Sequence, residues 1–201
     1  MTTQRTLGDF VWSRPDPSLT FVRDLGLVLG GSMLIVLGAK LSVPFVPVPL
    51  TFQGFAVVLV GAALGSRLGA FAAMAYLIEG LAGLPVFALP GAGPGYFLGP
   101  TGWTAGYLFS FPIAAWVVGA LAEQGWDRRY LTTILALAAG QAVILAGGFI
   151  WLSWFVGSRG AFLTGVVPFL FGDVLKSALA ALALPAAWRL VGRRAGQTDR
   201  P

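Results

Sequence analysis

The sequence predicts an all-α, polytopic membrane protein with six transmembrane helices and a long outer loop between the third and the fourth. Hydrophobic residues make up 57% of the 201 residues, charged residues only 10%, and the mean hydropathy is +0.81. A soluble domain usually has about 25% charged residues. In addition, 43 consecutive residues between Glu79 and Glu123 carry no formal charge. Since four prolines fall between residues 85 and 100, this stretch cannot form one helix and must include a loop.

Six apolar segments are long enough to cross, or nearly cross, about 30 Å of hydrocarbon. They cover approximately residues 25–43, 50–64, 68–82, 102–122, 130–152 and 167–190. Residues 25–191 therefore form the predicted membrane domain, with tails at 1–24 and 192–201. The first tail mixes Arg, Asp and Pro before any apolar run, which is unlike a signal peptide.

The basic residues give the predicted orientation. An even number of spans puts both termini on one side, together with Arg5, Arg14, Arg23, Arg67, Arg128, Arg129, Arg189, Arg193, Arg194 and Arg200. Lys40 and Arg159 lie near the other side. Because cytoplasmic loops are enriched in Lys and Arg, both termini are predicted to be cytoplasmic.

The outer loop at residues 83–101 is uncharged, rich in glycine and proline, and contains Phe87, Tyr96 and Phe97. Irregular backbone at membrane depth must be buried in protein or line a cavity, because lipid offers no hydrogen-bond partners. We therefore expect a lid over the bundle. The alternative is a mobile loop that dips into the headgroups.

Small residues recur at spacings of four, which permit close helix contact. The rows are Gly102, Gly106, Ser110 and Ala114; Gly61, Gly65 and Gly69; and Gly26 and Gly30. The first row is expected to pack inside the bundle. The Gly26/Gly30 row lies at the cytoplasmic end of the first span, where a partner protein or the bundle itself would cover it.

Charges inside apolar segments are costly in lipid and are therefore candidate functional residues. Lys40, Glu79, Asp173 and Lys176 all fall at the outer ends of their spans. The neighbouring polar residues are Thr51, Gln53, Thr101 and Thr104, and the neighbouring aromatic residues are Phe52, Phe55, Tyr76, Trp103 and Tyr107. Apolar walls with a few convergent polar groups are typical of a small-molecule site.

Several roles remain open for these polar residues. Asp173 and Lys176 are three residues apart and share a helix face, so they form either a ligand site or a mutual ion pair. Glu79 either pairs with Lys40 or lies among headgroups. Gln141, at the middle of the fifth span, is expected to make an interhelical hydrogen bond, because an unpaired amide in hydrocarbon costs about 2–7 kcal/mol.

The composition also excludes several kinds of chemistry. The chain has no Cys and no His, which excludes disulfides, imidazole-based zinc sites and His-dependent nucleophilic catalysis. A GxxxxGK[ST] nucleotide-binding loop needs a Gly-Lys pair, but the two lysines follow Ala39 and Leu175. The net charge of +5 does not indicate nucleic-acid binding, since the basic residues lie at segment ends. We therefore expect neither an enzyme nor a bound cofactor.

Five motifs, in order, resemble those of the BioY family, the biotin-specific substrate-binding subunits of energy-coupling-factor (ECF) transporters. They are Val43-Pro-Phe-Val-Pro-Val-Pro-Leu-Thr-Phe-Gln53, Gly61-Ala-Ala-Leu-Gly-Ser-Arg-Leu-Gly69, Gly83-Leu-Pro-Val-Phe-Ala88, Leu98-Gly-Pro-Thr-Gly102 and Gly172-Asp-Val-Leu-Lys176. The resemblance extends from about residue 25 to residue 190. It departs from the family pattern at Gly102-Trp-Thr-Ala105, which separates Gly-Pro-Thr from Gly-Tyr-Leu, and at Glu79.

The resemblance implies a multi-pass protein of the bacterial inner membrane that captures biotin from outside. Its partners would be a transmembrane coupling subunit that docks at Gly26 and Gly30, two ATPase subunits and membrane lipid. Some family members occur without dedicated partners, and this chain could also form a homo-oligomer. It places Asp173 and Lys176 at the biotin site, where a carboxylate suits the ureido N–H groups and a cation suits the valerate. We expect the rest of the site to be formed by Thr51, Gln53, Phe87, Tyr96, Thr101, Trp103 and Tyr107.

Three alternatives remain. The chain could be a self-sufficient secondary carrier with Asp173 or Glu79 as a proton-linked carboxylate, but such carriers often have duplicated halves, and none is visible. It could bind another small vitamin. A membrane enzyme would have to use Asp173 and Lys176 as its catalytic pair.

Overall fold

The computed structural model describes residues 6–11, 19–43, 45–98, 101–170, 172, 176–178, 180, 182 and 184–188. The elements are α1 (Leu7–Val11), α2 (Thr20–Lys40), β1 (Ser42–Val43), β2 (Leu50–Thr51), α3 (Gln53–Leu81), α4 (Gly95–Leu98), a 3₁₀ turn (Gly102–Thr104), α5 (Ala105–Ala122), a second 3₁₀ turn (Trp126–Arg128) and α6 (Tyr130–Gly165). Within this part of the chain, four helical stretches are long and apolar enough to cross a membrane. The protein is thus a mostly helical membrane protein.

Helix α3 is a helical hairpin that turns at Gly65. Gly65 has φ +84° and ψ 178°, a conformation that glycine adopts without the steric cost of a Cβ. A Cβ built on Gly69 would lie 2.8 Å from the Cα of Gly61. These residues are eight positions apart, and about 12 Å apart along a straight helix. Residues 53–64 and 66–81 therefore run back along each other, and the small-residue row forms their contact.

A short β-hairpin connects α2 to α3, which the all-α prediction did not include. Ser42 pairs with Thr51, and Val43 pairs with Leu50, in antiparallel register. The prolines between the strands have no backbone N–H and cannot continue a helix, so the chain leaves α2 and returns as two extended ends. The predicted bounds at 43 and 50 were therefore wrong: α2 ends at Lys40, and α3 begins at Gln53.

Two further helix bounds differ from the prediction. Helix α2 begins at Thr20, so five residues assigned to the N-terminal tail are helical. The fifth predicted span, at 130–152, continues to the end of α6 at Gly165, with a break at Gly157, where φ is +73°. The described residues after 166, within the sixth predicted span, are also helical up to position 188.

Part of the N-terminal tail packs on the bundle. Arg23 is 2% exposed and its guanidinium bridges Asp9 at 2.8 Å and Asp24 at 2.9 Å. Burial alone would raise the pKa of Asp9, but hydrogen bonds from Thr6 and Arg23 outweigh it and lower the pKa below 3.8. The ion pair thus fastens α1 to the start of α2.

The bundle is layered in chain order: α2 packs on α3, α3 on α5, and α5 on α6. Its core is formed mainly by small and β-branched side chains of α3 and α5, such as Val57, Val58 and Val118, which are fully buried. Large apolar side chains also cover the outside, and Met33 and Ile150 are each 62% exposed. An exposed apolar surface of this kind suits lipid as the surrounding solvent.

Candidate functional site

A cavity of about 50 Å³ lies at the end of the bundle where the hairpin and the loop after α3 meet. It is lined by Val48, Pro49, Thr51, Gln53, Gly54, Ala88, Tyr96, Thr104, Tyr107, Leu108, Phe111, Ile144, Leu145 and Phe169. The walls come from α3, α5 and α6. The β-hairpin and residues 83–98, which we call the roof segment, close the cavity. The arrangement is mostly apolar with a few polar groups, as in small-molecule sites.

The polar groups at the start of α3 are held by a hydrogen-bonded chain. The backbone N–H of Gln53 donates to Thr51 Oγ1 at 3.2 Å, and Gln53 Nε2 donates to the Tyr76 hydroxyl at 2.6 Å. Tyr76 is fully buried, and its hydroxyl donates to the carbonyl of Val86 at 3.5 Å. The side-chain positions at this edge of the cavity are therefore linked to the backbone of the roof segment.

Aromatic packing holds the roof segment down. Phe87 is 1% exposed, and its ring centroid lies 4.3 Å from that of Tyr96 and 5.7 Å from that of Tyr76. Helix α3 has Gly80 beneath this ring, where any Cβ would collide with Phe87. Phe87 therefore plugs the space behind the cavity wall, while its neighbour Ala88 lines the cavity.

Two tyrosines of the lining are positioned by hydrogen bonds to chain segments beyond their own helix. Thr101 Oγ1 donates to the carbonyl of Tyr96 at 2.7 Å, and the Tyr96 hydroxyl lies 3.4 Å from Thr104 Oγ1. The Tyr107 hydroxyl donates to the carbonyl of Gly165 at 2.7 Å. Tyr107 thereby ties α5 to the far end of α6.

Lys176 lies in a neighbouring groove of about 340 Å³ and not in the cavity lining. Thr51 and Phe169 line both spaces. The ammonium of Lys176 donates to the carbonyl of Thr51 at 3.0 Å and lies 4.9 Å from the ring centroid of Phe52. A cation is therefore present at the edge where the groove meets the cavity. Asp173, its predicted partner, lies outside the described residues.

The other predicted site residues divide into two groups. Thr51, Gln53, Tyr96 and Tyr107 line the cavity, whereas Phe87 and Thr101 position its wall. Trp103 is in neither group, because it packs against the bundle core, and its buried Nε1 has no hydrogen-bond partner among the described residues. Their roles in binding remain predictions.

Most of the apolar lining was missed, including Val48, Pro49, Ala88, Ile144 and Phe169. In a chain this hydrophobic, an apolar residue that faces a cavity has the same sequence signature as one that faces lipid. Val48, Pro49 and Ala88 do fall within the motifs that resemble those of the BioY family, and these motifs were the sequence signal by which they could have been identified.

One of the two alternatives for Glu79 and the expectation for Gln141 were wrong. Glu79 Oε2 accepts a hydrogen bond from Ser32 at 2.6 Å, while Lys40 donates to the carbonyls of Pro85 and Phe87, so these described residues do not form the ion pair that was one alternative. Gln141 is 5% exposed, and its Nε2 has no hydrogen-bond partner within the described chain. The side chain faces Gly54 and a lateral cavity of about 270 Å³ that is lined by apolar residues and Ser177, and within the described chain it makes no interhelical hydrogen bond through Nε2.

The predicted docking row faces outward. Gly26 and Gly30 are both exposed on α2, and a Cβ built on Gly30 would meet nothing within 4 Å. The described residues of the bundle therefore leave this surface uncovered.

The sequence matches the family model of the BioY family over residues 5–193. The chain belongs to the BioY family. The chain is 41% identical over 161 residues to a probable biotin transporter BioY of Pyrococcus horikoshii, and the aligned region covers 80% of this chain and 93% of that protein. It is also 41% identical over 150 residues to the biotin transporter BioY of Thermotoga maritima, covering 74% and 86% of the two chains.

The fold of this BioY-family chain also matches a solved structure, the S-component for biotin from an ECF-type ABC transporter. The TM-score is 0.68 at 24% sequence identity, and the match covers 88% of this chain and 95% of the other. The family expected from the five motifs is thereby confirmed, and the fold agrees with that of an S-component.

Proposed function

We propose that this protein is the substrate-binding subunit of an ECF-type transporter and that it captures biotin from the outer side of the membrane. Two relatives at 41% identity carry the name of biotin transporter, and the fold resembles an S-component for biotin. The observation that carries the proposal at the level of residues is a mostly apolar cavity, closed by the β-hairpin and the roof segment, with the cation Lys176 at its edge.

The proposed topology has six transmembrane helices. They are α2, the two halves of α3, α5, α6 and the helical stretch after residue 166. The break at Gly65 supports counting α3 as two spans. With the excess of arginine at the Gly65 turn and both chain ends, this topology makes the termini cytoplasmic and puts the hairpin and the roof segment on the outer side, where the roof segment acts as a lid.

Biotin would use both the cavity and the groove. A cavity of about 50 Å³ has room for a few water molecules, whereas small-molecule pockets are commonly about 300–1,000 Å³, so the roof must shift on binding. The thioether ring and chain would contact the apolar wall, and the valerate carboxylate would replace the Thr51 carbonyl as acceptor for Lys176. By its spacing from Lys176, Asp173 is proposed to accept from the ureido N–H groups.

Energy for uptake would come from partners. The exposed Gly26/Gly30 row on α2 is proposed to dock on a transmembrane coupling subunit that carries two ATPase subunits, since exposed small residues let helix backbones approach closely. Capture from outside and energy coupling from inside would then use opposite ends of the same bundle.

A titration of the purified, detergent-solubilised protein against biotin, thiamine and riboflavin tests the substrate. We expect saturable binding of biotin and none of the other two. A buried hydrogen bond to a charged group contributes about 1.5–3 kcal/mol, so Lys176→Met and Asp173→Ala should each weaken biotin binding by about ten- to a hundredfold. Arg159→Met, which removes an exposed cation on the same side, is the matched control. Unchanged affinity in both folded site variants would leave the pair as a structural ion bridge.

The carrier alternative has less structural support. A proton-linked carboxylate should face the substrate, but Glu79 bonds to Ser32 between α2 and α3 and is not part of the cavity lining. Proteoliposomes that contain this chain alone should therefore bind biotin without accumulating it. Accumulation driven by a pH gradient would favour the carrier instead.

A further inference from the structure

The side chain of Lys40, at the end of α2 and close to the hairpin, is hydrogen-bonded to the roof segment. Its ammonium donates to the carbonyl of Pro85 at 2.6 Å and to that of Phe87 at 2.9 Å. Lys40 is the last residue of α2, and only Leu41 separates it from the first strand of the β-hairpin. The Lys40 side chain is therefore anchored two residues before the hairpin, and its ammonium is bonded to the roof segment.

These bonds are not needed to complete α2. At the end of that helix, the N–H of Leu41 donates to the carbonyl of Leu37, and the N–H of Phe52 donates to that of Gly38. Exposed carbonyls at a helix end commonly attract a nearby cation, but the Lys40 side chain turns to a loop 45 and 47 residues away in the sequence. The Lys40 ammonium therefore bonds to carbonyls of the roof segment and not to carbonyls of its own helix.

The two bonded carbonyls belong to Pro85 and Phe87, next to the residues of the roof segment that close the cavity. Phe87 is the buried plug, and the next residue, Ala88, lines the cavity. The hairpin contributes Val48, Pro49 and Thr51 to the same lining. A motion that takes the roof segment away from the end of α2, where the hairpin begins, must break the hydrogen bonds of Lys40.

We propose that Lys40 is a positioning residue that latches the roof segment to the end of α2, beside the hairpin, and that release of this latch limits how fast ligand leaves the cavity. The inference rests on the proposed function for the identity of the ligand, but the latch itself is a property of the ligand-free protein. Lys40 does not line the cavity, so it acts through the roof and not by contact with the substrate.

Hydrogen exchange of the ligand-free protein tests the latch. In Lys40→Met, which keeps the apolar stem but removes the donor, the Gly93 amide that bonds to the Gly80 carbonyl at 2.7 Å should exchange about three- to tenfold faster, as expected for loss of an ordinary hydrogen bond. Lys40→Arg should restore slow exchange. Arg159→Met should leave it unchanged, and amides inside α5 should exchange alike in all variants if the fold is intact.

Biotin kinetics supply the second readout. Lys40→Met should raise the dissociation rate of biotin by about three- to tenfold, with a smaller change in the association rate, and Lys40→Arg should return it towards the original value. Unchanged exchange in residues 83–98 would overturn the latch, whatever the ligand. Faster exchange with an unchanged dissociation rate would overturn the claim that the latch limits exit. If biotin does not bind at all, the proposed function fails while the exchange experiment still decides the latch.

Discussion

Two adjacent glycines on α2 allow partner docking to be separated from folding. Gly30 is exposed, and a Cβ built on it meets nothing within 4 Å. Gly31 is buried, and its Cβ would lie 2.8 Å from Ala72 Cβ and 3.1 Å from Val60 Cγ1. Replacing the exposed Gly26 and Gly30 by Leu should thus change the outer surface of α2 alone, while the same replacement at Gly31 should disturb its packing on α3.

The expected changes in the free energy of unfolding have opposite signs for Gly30→Leu and Gly31→Leu. Glycine in a helix interior costs about 0.8–1.0 kcal/mol relative to Ala, and Leu is nearly as favourable as Ala, so Gly30→Leu should stabilise the helix slightly. Gly31→Leu gains the same amount in helix propensity, but the Leu side chain has no room, because α2 and α3 are already in contact at Gly31. Overpacking of this kind commonly costs about 1–3 kcal/mol and occasionally more, so the net effect of Gly31→Leu is destabilising.

Three assays distinguish the variants. Thermal unfolding in detergent should leave the Tm of the Gly26→Leu/Gly30→Leu double variant unchanged or higher and lower that of Gly31→Leu. Biotin affinity of the double variant should equal that of the original protein. Uptake by a complex reconstituted with the coupling and ATPase subunits should be lost in the double variant, because bulky side chains prevent close helix approach.

Two results would refute this reasoning in different ways. If the double variant loses biotin binding or unfolds as early as Gly31→Leu, the row packs within the bundle. If it folds, binds biotin and still supports full uptake, the docking surface lies elsewhere.

Two other groups give further predictions. Gln141→Leu should leave the Tm unchanged or raise it in a detergent melt, because the Gln141 amide nitrogen is buried without a partner among the described residues and burying it costs about 1–3 kcal/mol; a clear loss of stability would reveal a hydrogen bond. Burial raises the pKa of Asp127 above 3.8, although a hydrogen bond from Trp188 lowers it. Because the pKa is higher in the folded protein than in the unfolded chain, the folded state holds the Asp127 proton more tightly. The free energy of unfolding therefore includes a stabilising contribution from protonated Asp127 at low pH, and this contribution is lost as the pH rises through the folded pKa. Melts of Asp127→Asn and the original protein should therefore show a Tm difference that shifts in favour of the variant from pH 4 to pH 7, and a constant difference would contradict the shift.

The helices were predictable from the sequence because membrane crossing imposes a strong requirement on length and composition. The predicted fourth span at 102–122 coincides with the 3₁₀ turn and α5. The hairpin between α2 and α3 was not predicted, since two-residue strands beside prolines carry no periodic signal. The continuation of α6 to Gly165 was not predicted, because the fifth span was ended at residue 152, whereas the helix continues beyond it, breaks at Gly157 and resumes.

The candidate site was predictable to the extent that its residues are polar or belong to the family motifs. Thr51, Gln53 and Tyr107 line the cavity, and their types and depth along the spans indicated this. The apolar lining could not be separated from lipid-facing residues. Nor could the sequence show that Lys176 lies in the adjoining groove, because that depends on how the stretch after residue 166 packs against the hairpin.

The cost of a charge in lipid identifies residues that need a partner, but it does not identify the partner. Glu79 obtains a hydroxyl donor from Ser32 and Lys40 obtains two carbonyls of the roof segment. Neither residue lines the cavity, so for these two the cost is offset within the protein and does not mark substrate contact. Lys176 differs because one of the groups that it contacts, the Thr51 carbonyl, belongs to a residue of the cavity wall. Under the proposed function, a ligand carboxylate that enters there would compete with the bond between Lys176 and the hairpin residue Thr51, and binding at Lys176 would then be coupled to movement of the hairpin.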